Sequence, residues 1–318
     1  MAGGLGTLRR RILVPKPDQN RAEVRGFHVK NDASRELLES VSKWFREGFG
    51  HALETGDPIE TGARLQAIER QYQGFSYEGA TMGLALLDVM SLHRHDRVAR
   101  FLAGPAKNVP HQVHVGLGFA LARMPRFRWR VFLPADPMLR WRTLDGYGFH
   151  QAFFKTDKYV HAQYQDPGFP WPKEYPNYVN RAIDQGIGRA LWFVGGSDVA
   201  RVATLIEKFD PGRRAELWSG AGLAATYAGG ANEPELKQFW ELAGSYRPQV
   251  AQGGALASTT RARANLVNDN TRTAAAIFCG MSPEDAAAVT DEARKDLPPD
   301  GALPAFEVWR QRIQQRFA

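Results

Sequence analysis

PGRRAELWSGAGLAATYAGG, residues 211–230, is the stretch that decides the fold. Its apolar residues keep helical spacing between Pro211 and Gly229-Gly230, and proline at a helix start with glycine just past its end is the expected asymmetry of helix termini. Gly220 and Gly222 therefore lie inside a helix, where glycine costs about 1 kcal/mol relative to alanine. Such a cost needs a reason.

The pattern recurs on both sides. Outward from Gly220-Ala221-Gly222, similar strings stand at Gln185-Gly186-Ile187-Gly188, Asp145-Gly146-Tyr147-Gly148, Val115-Gly116-Leu117-Gly118, Glu78-Gly79-Ala80-Thr81 and Glu47-Gly48-Phe49-Gly50, and beyond it at Gln252-Gly253-Gly254-Ala255. The first glycines, at 48, 79, 116, 146, 186, 220 and 253, are separated by 31, 37, 30, 40, 34 and 33 residues. Periods in this range indicate stacked supersecondary units. Pro110 and Pro125 bracket HQVHVGLGFALARM, Gly195-Gly196 closes RAIDQGIGRALWFV, and Pro248 opens QVAQGGALASTTRARA. Between the glycine helices lie amphipathic ones: SDVARVATLIEKF, with Ser197 or Asp198 as N-cap, and NEPELKQFWELAG, capped by Asn232 with Pro234 in the first turn.

The expected fold is all-α, about seven helical-hairpin repeats forming an α/α solenoid or toroid with glycine-rich inner helices. Four residues past the first glycines stand Ala52, Gly83, Ala120, His150, Ala190, Ala224 and Ala257, so six of the seven copies pair two small residues on one face and let backbones approach. A dinucleotide fingerprint is disfavoured. Gly220-Ala221-Gly222-Leu223-Ala224-Ala225 fits its letters, but no strand precedes it and the string recurs. The organisation reads as an N-terminal arm over 1–35, a helical repeat domain over 36–280, and C-terminal helices and tail over 281–318, the tail LPPDGALPAFEVWRQRIQQRFA being a linker and a short closing helix. Pro-rich DPGFPWPKEYP, residues 166–176, is the long non-helical connection.

Composition narrows the function. No run reaches the length of a membrane span and MAGGLGTLRRRILVP lacks the apolar core of a secretory signal, so a cytoplasmic protein is expected. The single cysteine, Cys279, excludes an internal disulfide and a thiolate zinc cluster, and reads as a small core residue. The net charge of +7 would suit an anionic partner, whether nucleic acid, membrane surface or acyl carrier protein, but no nucleic-acid motif accompanies it and none is expected to bind. Hydrolase elbows, P-loops and cysteine-nucleophile arrangements are absent from the sequence, and no cofactor is evident. His111-x-x-His114 lacks a third ligand, and His93-Arg94-His95-Asp96 reads as an exposed turn, so no metal site is expected.

The residue before each first glycine is polar in six copies: Glu47, Glu78, Asp145, Gln185, Ser219 and Gln252, with Val115 the exception. In a closed or nearly closed ring these side chains would converge on a shared lumen; alternatively they hydrogen-bond between neighbouring repeats. His150 breaks the small-residue rule and shares a helix face with Tyr147, which makes it a candidate general acid or base or a ligand donor, or else a buried histidine satisfied by a carboxylate. Arg189 puts a charge in an apolar helix, five positions after Asp184, and needs an internal carboxylate or an anionic ligand. The candidate catalytic residues are His150, Asp145 and Glu78; the candidate ligand-binding residues are Glu47, Tyr147, Asp184, Gln185, Arg189 and Gln252.

The chain also resembles a known family. RRRIL and RGFHVK near the start, then GFSYEGATMGLALLD, RVARFLAG, LDGYGFHQAFF, YVHAQYQDPGFPWP, RAIDQGIGRALWFVGG, GAGLAATYAGG and AQGGALAS, are similar to the bacterial domain-of-unknown-function family numbered 1702, which includes the UNBL-type proteins of enediyne biosynthetic gene clusters. The resemblance implies a role in bacterial secondary metabolism, handling a polyketide-derived linear polyene on the way to an enediyne core. It implies as partners a UnbV-type repeat protein and a UnbU-type membrane protein, and through them contact with the membrane. Relatives also occur outside such clusters. No catalytic residue is carried over from the family; the alternative is a non-catalytic scaffold for other proteins of the cassette.

Overall fold

Side-chain capping starts at least six of the helices. Asp57 accepts hydrogen bonds from the amides of Ile59 and Glu60, Asp198 from Arg201, Asp210 from Gly212, Asn268 from Thr271 and Ser282 from Asp285, and Asn232 with Glu235 forms a reciprocal capping box. Each satisfies amide donors that a helix start otherwise leaves without acceptors. The computed structural model describes residues 2–91, 96–132, 136–171 and 175–318, with side chains described from residue 4 onward and not at 130–132. Among the described residues all regular structure is helical.

The chain divides into two compact units, residues 1–25 with 39–147, and residues 26–38 with 148–318. The helices are α1 (Ala2–Leu13), α2 (Ala22–Arg25), α3 (Asp32–Thr55), α4 (Pro58–Gln66), α5 (Arg70–Met90), α6 (Arg97–Ala103), α7 (Pro110–Arg123) and α8 (Arg140–Phe154), followed by α9 (Pro176–Val194), α10 (Val199–Glu207), α11 (Pro211–Ala228), α12 (Glu233–Ala243), α13 (Arg247–Arg263), α14 (Asp269–Phe278), α15 (Pro283–Arg294) and α16 (Ala305–Gln315). The unit boundaries fall inside α3 and α8.

In the C-terminal unit α9, α11 and α13 lie side by side and parallel. Arg181 meets Glu216 near their starts and Trp192 Nε1 donates to the Gly229 carbonyl near their ends; Ser219 meets Gln252 and Arg261 donates to the Tyr227 carbonyl in the same sense. Helices α10, α12 and α14 return the chain behind them. Phe239 of α12 packs its ring 5.5 Å from Trp192, 5.0 Å from Trp218 and 6.1 Å from Phe278, so one outer residue ties two glycine helices and the next outer helix together. Burying each such ring contributes roughly 1.5–3 kcal/mol. Residues 26–38 belong to this unit through His28 N–H to the Val194 carbonyl, Ser34 Oγ to the Gly230 carbonyl and Lys30 to Glu235.

The two glycines of each signature serve different neighbours. A two-residue step turns a helix by about 200°, so the glycines face opposite flanks. A Cβ on Gly220 would lie 2.0 Å from the Gln185 carbonyl oxygen of α9, and one on Gly222 2.7 Å from the Val250 carbonyl oxygen of α13. The N-terminal unit repeats the device: Gly116 meets Glu78 O of α5 at 2.3 Å and Gly118 meets Thr143 O of α8 at 2.1 Å. Any side chain there would push two helices apart. Close approach on one face at i and i+4, the expectation from the sequence, holds at Gly79 and Gly83, which face Phe45 and Ala52 of α3; the more general device is one glycine for each side.

Candidate functional site

The same geometry gives the residue before the first glycine a defined place. Its backbone carbonyl is what the next helix's glycine receives for Glu78 with Gly116, Val115 with Gly146, Gln185 with Gly220 and Ser219 with Gly253, whereas Gly79 meets the Phe45 carbonyl rather than that of Glu47. Its side chain is turned about 100° from the glycine, onto a face shared by the parallel helices.

In the C-terminal unit α16 supplies the partners on this face. Arg310, fully buried, forms ion pairs at 2.7 Å with both Glu216 and Glu307 and donates to Gln252 Oε1 at 3.1 Å; Ser219 Oγ donates to the same oxygen at 2.8 Å. Arg181 bridges Glu216 and Glu307 at 2.6 and 2.7 Å, and the Tyr178 hydroxyl donates to Glu307 at 2.9 Å. Burial pushes the Glu307 carboxyl up, but the Arg310 and Arg181 guanidiniums outweigh it and hold the group below its ordinary range. Gln252 is thus held by hydrogen bonds between neighbouring helices and from Arg310.

A second cluster surrounds Asp184. Arg213 grips it with two nitrogens, at 2.9 and 2.6 Å, and Gln165 Nε2 donates at 3.2 Å. Burial dominates over this single guanidinium and pushes the carboxyl up to about 6, with Glu216 adding to the rise. Asp184 is thus taken by Arg213, and Arg189, for which the sequence left open an internal carboxylate or an anionic ligand, lies over the Phe149 ring at 5.2 Å.

Arg189 and His150 each lie against a cluster of aromatic rings. Phe149 stacks on Phe153 at 5.8 Å and meets Phe193 edge-on at 5.3 Å, Phe153 contacts Phe154 at 4.9 Å, and His150 lies 4.6 Å from Phe154. Gln185 stands one turn before Arg189 on α9. It is buried, and its Nε2 has no acceptor within hydrogen-bond distance among the described residues; Gln151 Oε1, beside His150, is likewise buried without a donor.

The family described as protein of unknown function (DUF1702) matches residues 4–317. The chain belongs to this family. No curated protein and no solved structure matches it.

In this DUF1702 chain the remaining candidates lie in the N-terminal unit. Glu47 pairs with Arg10 at 2.6 Å and with Arg46 at 3.3 Å, Asp145 is buried against Arg142 at 2.7 Å, Glu78 is buried in α5, and Tyr147 meets Trp129 edge-on at 5.7 Å. His111 and His114 are buried in α7, with His114 Nδ1 donating to the Pro110 carbonyl at 2.7 Å and burial lowering its pKa. Among the described residues no three metal-ligating side chains converge; His93, Arg94 and His95 lie outside those residues. Cys279 is buried, which pushes its thiol up to about 12. Sequence reasoning missed Tyr178, Arg181, Arg213, Glu216, Glu307 and Arg310. Glu216 had a signal, since it stands one turn before Ser219 on the same face; Arg310 had none beyond Glu307 three residues before it, its other partners lying 58 to 132 residues away in sequence.

Proposed function

We propose that this protein is a biosynthetic accessory protein or enzyme of bacterial secondary metabolism that holds an extended apolar ligand, the polyketide-derived linear polyene on the way to an enediyne core. The observation that carries the reading is the Gln185 carboxamide, buried without an acceptor one turn from Arg189, which itself lies over the Phe149 ring of a cluster with Phe153 and Phe193. An unsatisfied buried donor costs about 1–3 kcal/mol, a cost that a ligand carbonyl or carboxylate would remove. The aromatic surface suits a conjugated chain, and Arg189 suits its polar or anionic end. Of the candidate proton-transfer groups, His150 lies in the same unit as Gln185, and Glu78 and Asp145 lie in the other. The finer architecture belongs to the same reading: the parallel glycine helices as the inner layer of a helical-hairpin solenoid or toroid, supported by glycine pairs that accept a neighbour on each flank. In a producing host, His150→Ala is expected to abolish product formation while the protein still folds; unchanged turnover would sink the catalytic assignment.

One observation favours a second reading. Gln252, Asp184 and Glu47 already have internal partners in Arg310, Arg213 and Arg10, which suits a scaffold that binds the UnbV-type and UnbU-type components rather than a reacting site. Co-purification with those proteins in mild detergent supports this alternative, and its failure counts against it.

A further inference from the structure

Helix α1 has two unlike faces. Gly6 packs against α3, where a Cβ would lie 2.0 Å from the Glu54 carbonyl, and Arg10, one turn on, forms ion pairs with Glu47 and Glu54. Leu5, Leu8 and Ile12 point the other way. At about 100° per residue they fall within an arc of roughly 60°, and they are 60%, 51% and 69% exposed. Arg9 and Arg11 flank this stripe on its two sides, with Arg11 exposed. The arrangement is that of an interfacial amphipathic helix, apolar on one stripe with the exposed Arg11 at one margin, while the Arg9 guanidinium at the other packs against Gly56.

A second exposed apolar group lies in the same unit. Phe127, 77% exposed, sits in the 3-10 turn Arg126–Phe132 that follows α7, between the exposed Arg126 and Arg128, with Arg128 over its ring at 5.6 Å. The helix bearing the stripe and the helix preceding Phe127 each reach α3 through an arginine. Arg123, the last residue of α7, lies over the Phe49 ring at 5.9 Å, and the Arg10 side chain lies against Gly50.

We propose that this part of the N-terminal unit binds an anionic lipid bilayer directly, with Leu5, Leu8, Ile12 and Phe127 entering the headgroup boundary and Arg11, Arg126 and Arg128 meeting lipid phosphates. Charge complementarity selects the occupant: the exposed apolar groups are edged by arginines and the chain carries a net charge of +7. Aliphatic side chains at three of the four apolar positions suit acyl chains, whereas a nucleic acid offers bases for aromatic stacking and phosphates for cations. This binding needs no other protein and is independent of the polyene reading.

The test is co-sedimentation of the full chain with phosphatidylcholine vesicles, with and without phosphatidylglycerol. Binding is expected to be at least about tenfold tighter with the anionic lipid and to weaken as salt rises. Leu8→Ser with Ile12→Ser, and separately Phe127→Ser, should each reduce it about tenfold at an unchanged melting temperature, because these side chains are exposed. Arg11→Glu, which leaves the apolar stripe intact, should reduce it too. No binding to the anionic vesicles, binding that none of these variants weakens, or capture of a single-stranded RNA oligonucleotide without vesicle binding would each overturn the proposal.

Discussion

The C-terminal unit buries two carboxylate clusters that differ in how many cations serve them. Around Glu216 and Glu307, two guanidiniums are shared by two carboxylates, with the Tyr178 hydroxyl adding a donor. Asp184 has one guanidinium, from Arg213, and one carboxamide. Both clusters lose water, yet Glu307 is held below its ordinary range and Asp184 is pushed above it. At Asp184 one bidentate arginine leaves burial dominant, whereas Glu307 has two guanidiniums that together outweigh it.

The largest effect should come from breaking the shared cluster. Arg310→Met would leave Glu216 and Glu307 buried around Arg181 alone, at a cost of about 3–5 kcal/mol in chemical denaturation near neutral pH. A loss below about 1 kcal/mol would mean the network adds no more than a surface pair.

The next effect separates the clusters by the sign of their pH dependence. Folded Asp184 takes up its proton near 6 and an unfolded aspartate near 3.8, so between these values the folded chain binds more protons and its stability falls as pH rises. That contribution is fully present below the unfolded value and is lost as pH passes through about 6, with a size of about 3 kcal/mol. Glu307 acts in reverse: its lowered folded pKa gives stability that is present above 4.5 and lost as pH falls. Asp184→Asn should flatten the decline between about pH 4 and 6 while leaving the acid loss in place, as read from unfolding curves across pH. An unaltered decline would assign it to other groups.

These clusters mark the boundary of what the sequence could tell. The glycine period, the prolines before the helices and the caps at Asn232 and Asp198 are local signals, and they placed the glycine helices and the amphipathic helices Val199–Glu207 and Glu233–Ala243. Spacing also identified Asp184, Gln185 and Gln252 as polar positions on glycine helices, because each is one step or two from a glycine whose flank is fixed. Their partners were not legible. Arg213 starts the next glycine helix and Arg310 comes from the C-terminal helix, and nothing in the local pattern favours either over Arg189, which is nearer Asp184 in sequence but lies on Phe149. The double role of the glycines was hidden for a related reason, since a spacing of two has meaning only once a helix has neighbours on both sides.

The smallest effect tests whether arginine's planar fork matters where only one cation is present. Arg213 uses three nitrogens, two on Asp184 and Nη1 on the Gln163 carbonyl at 2.8 Å. Arg213→Lys keeps the charge but offers a single compact ammonium that cannot span both carboxylate oxygens and reach Gln163. The expected loss is about 1 kcal/mol, the scale of one or two net hydrogen bonds. Because desolvation already outweighs the cation at this carboxylate, weakening the cation should move its titration further upward, and the pH at which stability finishes declining should rise above about 6. An unmoved titration would show that charge alone, without the fork, sets the balance at Asp184, and the contrast between the clusters would then reduce to how many cations each holds.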